Sequence, residues 1–362
     1  MAITRIGNPA LADIREPNFR NIIINGDMSI AQRGTSETGI TAGGYKTIDR
    51  FKTIITNLGT WTQSQDTDVP TGQGFATSLK MDCTTADASP SASDVLYVSQ
   101  IIESQNLQYL KKGTANAESL TCSFWVKSNK TGTYIVGLQE FQNTRYIANS
   151  YTINSANTWE KKTITFVGDT TGTLTNDNSA SLYLQFYLGA GSTYSSGTLA
   201  TNWESTVNAN RAVGQVNLAD STSNEWYVTG VQLEAGQVAS DFEFLPKGIM
   251  ESLCQRYFQL IAQGNAQYFS NGHYRNSTDL RTVYVHPVIM RASPSLNQVS
   301  GTDYYKFFRN NSSDNFDDFN VFFSNNRQSL LINNTDVSGT GGQAGMLSTN
   351  NASSYLAFDA EI

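Results

Sequence analysis

Residues 182–188 read Leu182-Tyr183-Leu184-Gln185-Phe186-Tyr187-Leu188. Leu182, Leu184, Phe186 and Leu188 take alternate places, and Tyr183, Gln185 and Tyr187 fill those between. Successive side chains of an extended chain point to opposite faces, so this is a strand with one apolar face and one face of rings and amides. The same alternation recurs upstream. Leu120, Cys122, Phe124 and Val126 share a face with Trp125 opposite, and Leu79, Met81 and Cys83 share another. Residues 95–102, 159–167 and 226–233 are further β-branched or aromatic runs. Ile22-Ile23-Ile24 is a short buried run stopped by the turn signal Asn25-Gly26-Asp27. Residues 129–132, Asn-Lys-Thr-Gly, predict a hairpin between 120–126 and 134–138.

Strands every ten to twenty residues with no helical pattern between them exclude βαβ units. They predict an all-β chain, with a jelly-roll or β-sandwich domain over 21–246. One helix is predicted. Ile249, Leu253, Tyr257 and Leu260 stand at helical spacing, which gives a connecting helix over 247–261. Beyond it, Val283, Val285 and Val288 lead a second strand-like region, a smaller β-sandwich over 262–362. Pro9 and Pro17 break any helix in residues 1–20, which read as an extended docking arm.

Composition narrows the function. The chain has 362 residues, 39% hydrophobic and 15% charged, with a formal net charge of −7. A phosphate backbone needs many cationic contacts, so nucleic acid is excluded as a partner. No apolar run approaches the ~20 residues of a membrane span, and the N-terminus has no apolar signal region. The three cysteines, Cys83, Cys122 and Cys254, form no disulfide framework, so folding is expected in a reducing cytoplasm.

Catalytic patterns are missing. The two histidines, His273 and His286, lie outside any zinc spacing, and no Gly-x-Ser-x-Gly elbow joins a strand to a helix. Asp314, Asp317 and Asp318 read as a solvated turn rather than paired catalytic acids. The chain is therefore expected not to be an enzyme. For binding, Trp125, Tyr183, Gln185 and Tyr187 place rings beside amides, which suits a sugar. The favoured alternative is that these residues pack under loops or against another subunit. Asp27 in the first turn and Glu234 at the end of the last strand are the candidate Ca²⁺ ligands, with solvated surface acids the favoured alternative.

Several segments carry a family resemblance: Asn21-Ile22-Ile23-Ile24-Asn25-Gly26-Asp27-Met28, Ala31-Gln32-Arg33-Gly34, Asp49-Arg50-Phe51, Gln100-Ile101-Ile102-Glu103 and the run 120–127. Trp159, the run 226–234 and Cys254-Gln255-Arg256-Tyr257-Phe258 continue it. Over about 21–260 the chain resembles bacteriophage tail-fibre or appendage proteins with a carbohydrate-binding-module-like jelly roll. The resemblance implies a non-enzymatic virion subunit, displayed outside the particle after assembly in the host cytoplasm. It implies a homotrimer and contact with host-surface glycan, and the arm over 1–20, with its mixed charge and two prolines, is expected to dock on other virion proteins. The rivals are a capsid decoration or head-fibre protein without a receptor role, a glycan-degrading tail enzyme, and a free carbohydrate-binding module of a secreted enzyme. The pairs Phe307/Phe308 and Phe322/Phe323 agree with association, because each is expected to put one ring on the core and one outside.

Overall fold

The computed structural model describes residues 19–310 and 312–362. The arm expected over 1–20 lies outside them, apart from Phe19 and Arg20. The chain is all-β and divides into two compact units.

The first unit holds two antiparallel sheets. One runs in the order Ser36–Ile40, Thr60–Asp66, Ser78–Thr85, Glu225–Ala235, Leu120–Ser128, Glu160–Phe166. In the other, Arg145–Ile153, Gly132–Glu140, Ala180–Ala190, Val95–Glu103 and Lys52–Thr56 lie side by side. The apolar faces predicted by alternation meet between them. The Phe124 ring packs edge-on at 5.0 Å from Phe186 and 5.1 Å from Tyr151, and Trp226 lies 6.0 Å from Phe186. Rings of this size dominate the burial that holds a sandwich closed.

Two local expectations change. Residues 129–132 do not close a hairpin: Leu120–Ser128 pairs with Glu225–Ala235 and Glu160–Phe166, whereas Gly132–Glu140 lies in the opposite sheet. The turn is an arch. The Asn129 side chain ties its start to the first sheet, donating to Ser223 O at 2.9 Å and accepting from Glu225 N at 2.9 Å. A hairpin and an arch both bury one face of each strand, so alternation cannot tell them apart. Ile22–Ile24, for its part, is not a strand. The segment lies along Glu225–Ala235 as irregular chain, with Ile22 N on Leu233 O and Val231 N on Gly26 O. A Cβ at Gly26 would stand 2.0 Å from Val231 O, so only glycine permits this approach.

The second unit takes Pro246–Ile362 together with Ile30–Thr35 and Tyr45–Phe51, two pieces of the region expected to belong to the first domain. Their side chains explain the assignment. Gln32 Nε2 donates to Phe258 O at 2.9 Å, and the Arg33 and Arg50 guanidinium groups stack on Phe258 and Tyr257 at 3.6 and 3.4 Å. Arg50 also pairs with Glu361. The helix expected over 247–261 spans Lys247–Gln255, and Phe258–Gln263 is instead a strand against Tyr355–Asp359. Phe258, Leu260 and Ala262 also satisfy a period of two, and the available partner strand decides. Ser295–Val299 completes this three-stranded sheet. A seven-stranded sheet built around Tyr268–Asn276 and Asp279–Val285 forms the other layer, over a core that includes Tyr274, Tyr305, Phe307 and Phe358.

Candidate functional site

The outer face of the six-stranded sheet carries a candidate site. Cys122, Phe124 and Val126 point into the core, so Ser123, Trp125 and Lys127 point out. Trp125 stands opposite Lys161 on one neighbouring strand and Thr229 on the other. A groove of about 230 Å³ opens there, lined by Trp125, Ser123, Lys161, Gly230 and Gln73, and walled by Phe75, Phe242, Phe244 and Asp241. The three phenylalanines form one cluster, with ring centroids 5.1, 5.1 and 4.8 Å apart. Phe244 keeps 51% of its surface exposed.

The backbone explains why the groove exists. The pairing of Glu225–Ala235 with Leu120–Ser128 shifts register between Thr229 and Gln232, a bulge in which Gly230 has φ +61°. A Cβ at Gly230 would lie 2.5 Å from Phe75 Cζ, so the missing side chain makes room for the ring. The far wall is held by Glu234. Its Oε1 accepts from Ser240 N at 2.8 Å and Gln232 Nε2 at 2.9 Å, and its Oε2 accepts from Ser240 Oγ at 2.7 Å. Gln232 Oε1 in turn accepts from Glu243 N at 2.8 Å. These bonds fix the segment that presents Asp241, Phe242 and Phe244.

The other predicted residues fall elsewhere. Glu234 spends both carboxylate oxygens on the groove wall, and Asp27 Oδ1 accepts from Ser29 Oγ at 3.0 Å. Among the described residues no group of three or more His, Cys, Asp or Glu gathers as a metal site. Asp27 and Glu234 thus each make local hydrogen bonds. Gln185 and Tyr187 are fully buried. Residues 191–217 cross their face, donating Val216 N to Thr133 O at 2.9 Å and accepting Ala148 N at Ala200 O at 2.7 Å. Arg211, from this excursion, lies 5.4–5.9 Å from the rings of Tyr97, Tyr146, Tyr187 and Tyr194. Its Nη2 donates to Gln139 Oε1 at 3.1 Å and Gln185 Oε1 at 3.2 Å. Tyr183 is partly exposed and stacks on Phe141 at 4.4 Å. Of the four predicted binding residues, only Trp125 lies in the groove.

Both histidines lie in the second unit. His273 is exposed on a strand. The His286 ring lies between Gln259 Oε1 at 3.0 Å and Ser329 Oγ at 3.1 Å, and burial lowers its pKa to about 4. Ser329 is fully buried, so no substrate reaches this serine–histidine pair. Phe307 is core and Phe308 partly exposed, as the pair rule predicts, but Phe322 and Phe323 are both exposed, at 61% and 50%. Asn320–Ser324 is an edge strand with a register shift between Val321 and Phe323, which breaks the alternation.

The residues missed by sequence reading are Phe75, Phe242 and Phe244. They lie in irregular segments without periodicity. The available signals were the Phe-Glu-Phe spacing of 242–244 and Gly72-Gln73-Gly74 just before Phe75.

No family model matches the chain, and no curated protein matches it. Among solved structures, the enzymatically active domain of tailspike protein 4 of bacteriophage CBA120 aligns with 60% of this chain at 14% identity and a TM-score of 0.30. The alignment spans 21% of that tailspike chain, about a fifth of its length. The family 11 carbohydrate-binding module of Clostridium thermocellum, in complex with a mixed-linked tetrasaccharide, aligns with 57% of this chain and 99% of its own at 11% identity and a TM-score of 0.28. The CBM22-1 xylan-binding domain of Paenibacillus barcinonensis Xyn10C aligns with 56% of this chain and 94% of its own at 11% identity and a TM-score of 0.25. At such scores these likenesses carry no weight in deciding what this chain does.

Proposed function

We propose that the chain is a structural subunit of a bacteriophage virion, a tail fibre or related appendage, that holds host-surface glycan in the groove beside Trp125. The groove carries the reading. Its walls are rings, which stack on the C–H faces of sugars, and Lys161, Asp241 and Gln73 offer both donors and acceptors to hydroxyls. The phage assignment rests on the motif resemblance in residues 21–260. The site binds rather than cleaves: glycoside hydrolysis uses two facing carboxyl groups, and among the described residues Asp241 is the one carboxylate lining the groove.

The subunit works as a homotrimer on the outside of the particle, assembled in the host cytoplasm. The exposed apolar residues of the second unit support association: Val283, Val285, Phe322, Phe323 and Met346 are each at least half exposed. Such surface on a soluble chain marks a contact, and cyclic closure would bury it without polymerising.

The experiment is a glycan array probed with the purified chain and with Trp125→Ala. Binding to a host-surface glycan that falls about tenfold or more in the variant supports the reading. Equal binding by both proteins moves the site elsewhere. Mass measurement in solution checks the assembly, and a monomer at micromolar concentration removes the trimer.

A further inference from the structure

Resting on the glycan reading above, we infer that the ligand is an extended glycan chain laid along the strands, rather than a single terminal sugar. The observation is a second aromatic station in line with the groove. Ser123, Trp125 and Lys127 follow one another on the outer side of the same strand. The groove lies at Ser123 and Trp125. Lys127 stands opposite Tyr227, and the pairing of Glu160 with Val126 brings Trp159 beside Lys127. The Trp159 and Tyr227 ring centroids are 6.1 Å apart, and Lys127 Nζ sits 4.1 Å over Tyr227. Four residues of strand separate Ser123 from Lys127, a run of about 13 Å. One sugar ring does not cover it.

The second station is built in place. Trp159 Nε1–H donates to Asp68 Oδ1 at 2.8 Å, and Lys127 pairs with the other oxygen of the same carboxylate. Asp68 thus fixes the indole while leaving it partly exposed. A ring held in one orientation loses little freedom when a ligand stacks on it. The bulge at Gly230 opens one end of this line, and the Trp159 station extends it at the other.

The test is calorimetric titration of the full chain with gluco-, galacto- and N-acetylglucosamine oligosaccharides, from monosaccharides through hexasaccharides. Affinity is expected to rise about tenfold or more between the monosaccharide and the longer members of whichever series binds. Trp159→Ala should abolish that gain, whereas Trp125→Ala lowers affinity at every length, the monosaccharide included. Trp159→Phe, which keeps a ring, should restore part of the gain and guards against a misfolded alanine variant. Equal affinity at every length overturns the chain inference and leaves the glycan reading standing. Absence of binding by every series overturns both.

Discussion

The two outer faces of the first unit begin from one sequence pattern and end as different surfaces. On the sheet that carries Ala180–Ala190, Tyr187 and Gln185 point outward and are completely covered by residues 191–217, with Arg211 set among four tyrosine rings. On the six-stranded sheet, Trp125 and Trp159 also point outward and stay partly exposed, because the segments carrying Phe75, Phe242 and Phe244 wall the face without closing it. Alternation tells which side of a strand faces away from the core. Whether that side meets water depends on what the long connections do. The covered face is core in all but topology, and the open face is free to bind.

Stability separates the two faces most sharply. Tyr187→Ala should destabilise the first unit by about 3–5 kcal/mol, the cost of a large ring removed from a packed site. Trp125→Ala should cost less than about 1 kcal/mol, since its ring is partly wet already. Urea unfolding of both variants measures the difference, and equal losses would mean that the groove is a packed structure rather than a site.

Arg211→Met sharpens the same contrast from the cover's side. It keeps most of the side-chain volume but strips the donor from Gln139 and Gln185, which are buried. The expected cost is about 2–3 kcal/mol, from two lost charge-assisted hydrogen bonds and the lost cation–ring attraction, while Gln185 Nε2 and the Tyr187 hydroxyl still donate to the two amide oxygens. Amide exchange should quicken through 191–217 and remain unchanged at the groove. Unchanged exchange in the excursion would show that backbone bonds alone hold it down.

How much of this was legible follows from the same physics. The strands around 182–188 and 120–126 were read correctly because a period of two is local. The arch at 129–132 reads as a hairpin in the sequence because alternation carries no sheet identity. Leu260 stands at helical spacing from Tyr257 and also alternates with Phe258 and Ala262, so the stretch reads as helix and only the distant Tyr355–Asp359 decides for strand. At the site, Trp125 was visible as the odd ring on a polar face. Phe242 and Phe244 were not, because bonds to Gln232 and Glu234 rather than any periodicity bring them to the groove.

Gly230→Ala attacks the open face alone. A non-glycine residue at φ +61° costs about 1–2 kcal/mol, and the new methyl lies where Phe75 now packs. The unit should stay folded at room temperature while glycan affinity drops severalfold. Retained affinity would show that the position of Phe75 is unimportant to the groove.

The smallest effect concerns Asp68 of the open face. Burial would raise the pKa of its carboxyl, but the hydrogen bonds from Lys127 and Trp159 outweigh burial and hold it below its ordinary value. A depressed carboxylate stabilises the fold above its unfolded value, near 3.9, and that contribution disappears as pH falls through the folded value. Because Asp68 is 45% exposed, the pair is screened and contributes under about 1 kcal/mol. The readout is therefore local: Trp159 emission, isolated by subtracting the spectrum of Trp159→Phe. It should be flat from neutral pH down to about 4 and change only below that. Asp68→Asn should show a loosened indole already at pH 7, because a neutral amide holds Lys127 less well. The groups set against Gln185 do not titrate in this range: Arg211 keeps its charge throughout, and burial raises the Tyr187 hydroxyl well above its ordinary range. If Asp68→Asn leaves the emission unchanged at pH 7, packing on Tyr227 is enough to fix the ring, and the open face holds its own rings as firmly as the covered one.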